Sequence, residues 1–363
     1  MIKGASVLLG GASVLPKTGL AASARYRMPE ESEPHARTWM AFVAREDIWS
    51  RRQVPAVKRD LALIATTIAG YEPVTVLVSA ADRAQARQLI PVGRSRYPIE
   101  LVEFDTDDLW LRDTGPTFVR DRHGATAAVD FNFNGWGRKQ SHARDAQVAA
   151  FVSDRAGVPR VTTDLVLEGG CFEVDGDGTA IMTRSCILND NRNPGRSQAA
   201  VESELKRLLG LEKIIWLDGV AGQDITDGHT DFYARFVRPG EVIASRDTYA
   251  ASPDYAVTRD NIALLNRSRD ARGRSLTVHV VDTPDSVNER FGVSEFAAGY
   301  VGYYLCNGAV IAQRFGDRRT DSAARSLLQR LYPERVVEQL SIDGIASGGG
   351  SIHCATQQQI APH

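Results

Sequence analysis

From Thr38 onward the chain sets short apolar runs against amphipathic stretches in a recurring order. Thr38 to Val43, Val74 to Ser79 and Ile99 to Phe104 read as strands, with helices over Pro55 to Ala69 and Ala81 to Leu89. A unit then repeats. Residues 116–132 read as two strands around a turn at Arg122, His123 and Gly124, followed by a helix over Ala143 to Ala156 and a strand over Pro159 to Thr163. Residues 172–184, 232–245 and 300–313 predict three more hairpins. Helices at Gln198 to Leu209, Asp254 to Ser268 and Asp321 to Leu331 follow them in turn, then strands at Lys213 to Leu217, Leu276 to Val281 and Arg335 to Gln339. Hairpin, helix, strand is an α/β unit, and its repetition points to a propeller-like or otherwise cyclic arrangement.

The polar residues fall at equivalent places in that repeat. Loops between one unit's last strand and the next hairpin carry Asp113, then Glu168 with Gly169 and Gly170, then Gly228, His229 and Asp231. The last such segment carries Cys354 after Gly348, Gly349 and Gly350. Equivalent loops of a cyclic repeat converge at one end of its axis, so these distant residues are expected to meet.

Their chemistry is coherent. Glycines let a ligand approach the main chain closely, which marks Gly350, and a thiolate at Cys354 is a nucleophile. His229 and Asp231, two apart in a segment expected to be extended, would point the same way, the carboxylate favouring the protonated imidazole. Asp113 and Asp231 together surround the reacting centre with negative charge. That favours a cationic substrate, and a guanidinium donates bidentate hydrogen bonds to carboxylates while lowering the pKa of a nearby thiol.

Composition narrows the setting. The chain has 363 residues, 43% hydrophobic and 24% charged, which excludes pervasive disorder. Lys and Arg number 43 against 45 Asp and Glu, so the basic footprint of a nucleic-acid partner is missing. No apolar run reaches the ~18 residues of a membrane span, so no membrane partner is expected. Residues 1–24 read either as a signal peptide or as a disordered tail, with 25–363 as one catalytic domain. Cys171, Cys186 and Cys306 lie in strand-like apolar segments and read as core residues, without metal-type spacing or a disulfide framework. His353, adjacent to Cys354, reads as structural.

Several runs together resemble the agmatine deiminase family. They are Met28 to Glu31, Glu33 to His35, Asp108 to Pro116, Asn132 to Gly137, Leu167 to Gly170, Asn189 to Pro194, Thr226 to His229 with Asp231, and Gly349 to Gln358. The resemblance implies the pentein fold, an α/β propeller of five modules about a pseudo-fivefold axis. It also implies hydrolysis of agmatine to N-carbamoylputrescine and ammonia. In that reading Cys354 attacks the guanidinium carbon, His229 protonates the departing ammonia and then activates water, and Glu168 supports His229. Asp113 and Asp231 grip the guanidinium nitrogens, Trp110 lines the pocket, and no metal or other cofactor is needed. A cytoplasmic setting follows from the family, an exported one from a signal peptide, and a homo-oligomer is compatible with either.

Three alternatives stay open. Ser351 stands where asparagine is expected in the family, and with the N-terminal segment this favours peptidyl-arginine or free arginine as a second substrate reading. His229, Asp231, Glu168 and Cys354 could instead hold a zinc ion that activates water. A non-catalytic guanidinium-binding module is the third.

Overall fold

A computed structural model describes residues 26–288, 290–293 and 296–362. Residues 1–24, the candidate signal peptide or tail, lie outside the described residues. The described strands form five sheets. Three are three-stranded: Phe172–Val174, Thr179–Thr183 and Lys213–Leu217; Ala234–Arg238, Glu241–Arg246 and Thr277–Asp282; Tyr304–Cys306, Ala309–Gln313 and Val336–Leu340. In each, the first two strands pair antiparallel as a hairpin, and the third returns parallel to the second after a helix. The sheet of Thr117–Asp121, Thr126–Asp130 and Arg160–Thr162 follows the same plan and gains Tyr26–Arg27 on its edge.

The remaining sheet is made by both ends of the chain. Gln357–Ile360 runs antiparallel to His35–Ala41, which pairs parallel with Val74–Val78 and then Ile99–Glu103. This C-terminal strand was not expected from the sequence. A run of three glutamines lacks the β-branched and aromatic residues that signal a strand.

Successive side chains of a strand point to opposite faces, and here each face enters a different apolar cluster. Met182 and Ala180 pack with Val119 and Val129, whereas Ile181 between them packs with Ala234 and Val242. Ile243 joins Leu305 and Val310, while Tyr304 and Ile311 join Trp39 and Val76, and that cluster reaches on to Phe118 and Ala128. Every sheet therefore shares a core with the next, and the order closes on itself. Burial on both faces is why these strands read as continuous apolar runs.

Helix boundaries depart from expectation where an acidic side chain caps the backbone. Arg318–Leu331 starts three residues before Asp321 because Asp317 accepts from the Arg319 and Thr320 amides. The helix expected from Ala143 is a short 3-10 turn, Asp145–Gln147, and then Val148–Ala156. Asp145 is fully buried and accepts the backbone N–H groups of Asp107 and Asp108 at 2.7 and 3.1 Å.

Candidate active site

Each functional segment makes one tight turn just before a strand of an antiparallel pair. Asp113 lies on Leu111–Thr114 before Thr117–Asp121, and Glu168 caps the 3-10 turn Gly169–Cys171 before Phe172–Val174. His229 caps Thr230–Tyr233, which carries Asp231 and leads into Ala234–Arg238. Cys354 sits in the turn that precedes Gln357–Ile360. The segment holding His229 and Asp231 is therefore not extended, as the sequence suggested. A helical turn separates their side chains, and Asp231 turns away to His353, whose Nδ1 lies 2.7 Å from Asp231 Oδ2.

A cavity of about 320 Å³ opens onto these turns. Cys354, His229, Asp113, Trp110 and Gly350 line it, together with Trp49, Asp108, Trp136, Ile225 and Phe232 among others. Glu168 and Asp231 stand behind that wall. His229 Nε2 is 3.3 Å from Glu168 Oε2, and its Nδ1 is 3.8 Å from Asp113 Oδ1. Asp113 Oδ2 accepts the Trp136 indole N–H at 3.0 Å, and Asp113 Oδ1 accepts the Gly170 amide at 3.3 Å. Cys354 Sγ is 3.9 Å from Asp231 Oδ2 and 3.7 Å from Ser351 Oγ. Gly170 is a packing necessity: a Cβ there would fall 2.5 Å from His229 Nδ1.

Electrostatics sort these groups into roles. Burial raises the Cys354 thiol well above its ordinary range, and the Asp231 and Asp113 carboxylates raise it further. Burial also lifts Asp113, to about 6, against the opposing pull of His229. Burial disfavours a charge on His229, but Asp113, Cys186 and Glu168 outweigh it and hold the imidazole well above 6.5. Glu168 would rise on burial alone, yet the Arg192 guanidinium and His229 bring it down to about 2. Arg192 Nε reaches both Glu168 oxygens, at 2.9 and 3.0 Å. Burial likewise opposes ionisation of Asp231, and the hydrogen bond from His353 overcomes it.

The model of the Porphyromonas-type peptidyl-arginine deiminase family matches residues 27–359, nearly all of the described chain. The chain belongs to this family. An agmatine deiminase of Pseudomonas aeruginosa strain LESB58 is 41% identical over 359 residues, covering 93% of this chain and 96% of that one. Among solved structures, the agmatine deiminase of Enterococcus faecalis superposes with a TM-score of 0.86 at 32% identity, over 93% of this chain and 97% of the other. An amidinotransferase from Microseira wollei shares the fold alone, at TM-score 0.51, 10% identity and coverage of 93% and 98%. The fold is that of the pentein superfamily.

Within this family member, the structure adds residues to the site that were read otherwise from the sequence. His353 is not a bystander: it bridges Asp231 and Glu31, with Nε2 2.8 Å from Glu31 Oε2. Glu31 also pairs with Arg112 at 3.1 Å and Arg235 at 3.0 Å, so Arg112 turns away from its neighbour Asp113. Asp108 holds the Trp49 and Trp110 indoles at 2.9 and 3.0 Å and Gln140 at 3.1 Å, which fixes one side of the cavity. Glu31, Asp108, Trp136 and Arg192 all lie in the runs that carried the resemblance, which was the available signal for them. Cys171 and Cys186 are buried but not on strands, lying on the 3-10 turn Gly169–Cys171 and the helical turn Arg184–Ile187, whereas Cys306 ends the strand Tyr304–Cys306. Ligand-competent groups converge, among the described residues, at Glu168, Cys171, Cys186 and His229. The zinc quartet considered from the sequence, which paired Asp231 and Cys354 with His229 and Glu168, is not that group.

Proposed function

We propose that this protein hydrolyses the guanidinium of agmatine to N-carbamoylputrescine and ammonia. The observation that carries the choice of substrate is the charge of the cavity wall. Among the described lining residues are Asp108 and Asp113 but no lysine or arginine, and the lining imidazole of His229 is already engaged by Glu168 and Asp113, so no uncommitted cation there would pair with the carboxylate of free arginine. Agmatine, a cation at both ends and without a carboxylate, suits such a wall. Asp231 adds to this, because its Oδ1 is buried and accepts no hydrogen bond among the described residues. A guanidinium N–H would satisfy it.

The proposed sequence of events uses the groups as they stand. The guanidinium enters beside Asp113 and Cys354, with the Trp110 indole next to it and Asp231 just behind that wall, 3.9 Å from Cys354 Sγ. Its positive charge offsets the two carboxylates that hold the Cys354 thiol up, and the thiol ionises beside the bound cation, its proton passing to solvent and being regained at the close of the cycle. The thiolate attacks the guanidinium carbon. His229, kept protonated by Asp113 and Glu168, gives its proton to the departing nitrogen, and ammonia leaves a thiouronium on Cys354. Neutral His229 then takes a proton from water, whose oxygen attacks the same carbon and expels the thiolate with the ureido product. In the same reading the five sheets are five modules about a pseudo-fivefold axis, and residues 25–363 form one catalytic domain.

Release of ammonia and ureido product from agmatine, free arginine and an arginine-containing peptide tests this, with a chelator present and Cys354→Ala alongside. Agmatine should be turned over well above the other two, with a loss of ~10³-fold or more in the variant. Preferred turnover of the peptide would replace the proposal with protein modification. No turnover of any guanidine would end it.

A further inference from the structure

Behind His229, on the side away from the cavity, two thiols face each other. Cys171 Sγ and Cys186 Sγ are 3.1 Å apart, and neither side chain reaches solvent. Glu168 Oε2 closes the group, at 2.9 Å from Cys171 Sγ, 3.7 Å from Cys186 Sγ and 3.3 Å from His229 Nε2. All four ligand atoms lie within 4.8 Å of one another. The proposed reaction employs Glu168 and His229 and passes no bond or proton through the two cysteines, of which Cys186 only adds to the hold on the His229 proton.

We propose that Cys171, Cys186, His229 and Glu168 form a binding site for a soft or borderline divalent cation of the zinc and cadmium class, and that filling it stops catalysis. Two thiolates, an imidazole and a carboxylate are the donor types such ions select. Bond lengths to zinc of ~2.0 to 2.3 Å place tetrahedral donors roughly 3.3 to 3.8 Å apart. The thiols and Glu168 Oε2, at 2.9 to 3.7 Å from one another, therefore need to open by about half an ångström, and the imidazole, within 4.8 Å of each of them, needs to move by up to about an ångström. Glu168 is oriented for this. Its Oε1 and Oε2 both meet Arg192 Nε, but Oε2 is the oxygen that faces the thiols and the imidazole. Arg192 can stay on Oε1 while Oε2 binds the ion.

Charge closes as well. A dication and the Arg192 guanidinium balance two thiolates and one carboxylate around a neutral imidazole. Two S–H bonds break as two metal–sulfur bonds form, the protons pass to solvent, and nothing is oxidised or reduced. Of the four ligands, His229 is the one that also lines the cavity. Once its Nε2 is bound to metal, His229 cannot be protonated there and Glu168 no longer supports it. That consequence rests on the catalytic reading, whereas the binding itself does not.

The binding test uses reduced protein carrying Cys354→Ala, which removes the cavity thiol, and follows the ultraviolet sulfur-to-cadmium absorption on titration. One cadmium per chain with the intensity of two thiolates is expected. Adding Cys186→Ala should abolish that band, and Cys171→Ser serves the same purpose should the first variant fail to fold. Separately, zinc should inhibit agmatine turnover by the otherwise native protein, reversibly with EDTA. Measured against its own zinc-free rate, Cys186→Ala should need at least tenfold more zinc for the same fractional inhibition. No cadmium band in Cys354→Ala, or an equal band without Cys186, would overturn the site. Equal zinc sensitivity in Cys186→Ala would place inhibition at the cavity instead and overturn the proposed consequence. A cadmium band in a protein that turns over no guanidine would uphold the site and refute only the catalytic reading.

Discussion

A Cβ placed on Gly350 would lie 2.2 Å from Trp110 Cζ3, so this glycine sets how closely the main chain packs against the indole in the cavity wall. Gly350→Ala should push that ring into the space proposed for substrate. A KM for agmatine raised about tenfold, with less change in kcat, is the expected steady-state result. His353 acts one step further out. It does not line the cavity, but holds Asp231 Oδ2 and leaves Oδ1 directed elsewhere. In His353→Ala, Asp231 should lose its orientation and ionise less readily, so kcat should fall by ~10²-fold, the scale of a small misplacement of a reacting group. His353→Asn, which keeps a donor near that oxygen, should recover part of it. From the sequence alone this role was out of reach, because adjacency to Cys354 in an extended chain implies opposite directions, and the segment is a turn.

The element that fixes the cavity's outer wall is the 3-10 turn Asp145–Gln147. Asp145 accepts the amides of Asp107 and Asp108, and Asp108 in turn holds Trp49, Trp110 and Gln140. Burial pushes the Asp145 carboxyl up to about 8, with the Asp107 amide opposing and the Asp108 and Asp107 charges adding to the rise. An unfolded aspartate titrates near ~3.9, so between that pH and about 8 the folded chain holds a proton that the unfolded chain releases. Stability contributed by Asp145 is thus present at low pH and is lost as pH rises through the window, by at most ~1.4 kcal/mol per pH unit. Thermal unfolding between pH 5.5 and 8.5 should show Tm falling with pH, and the fall should flatten in Asp145→Asn. Element positions were legible because hairpin turns, caps and amphipathic runs are encoded within a few residues of where they act. Gln198–Leu209 and Lys213–Leu217 agree with expectation residue for residue.

At the scale of the whole molecule, Glu31 ties the ring of sheets together. From the segment after Tyr26–Arg27 it reaches Arg112 before one sheet, Arg235 on a second, the Leu305 amide on a third and His353 before a fourth. Burial works against the Glu31 charge, and Arg235, His353 and Arg112 more than reverse that, holding it well below the usual carboxylate range. Glu31→Gln would leave those cations buried without their shared partner. A loss of ~3 kcal/mol in denaturant unfolding, the scale for breaking a buried ion pair, is expected together with loss of turnover. The sequence by itself determined the repeating unit, the strand and helix positions, and the residue types able to attack and bind a guanidinium. These depend on neighbours in the chain, on family-like runs, or on side-chain chemistry. Tertiary structure alone decided that Gln357–Ile360 completes the N-terminal sheet, that Asp231 answers to His353 in place of His229, and that Cys171 and Cys186 meet behind the imidazole. Each of those contacts depends on how a turn orients a side chain or on how the ring closes, and local hydrophobic patterning carries neither.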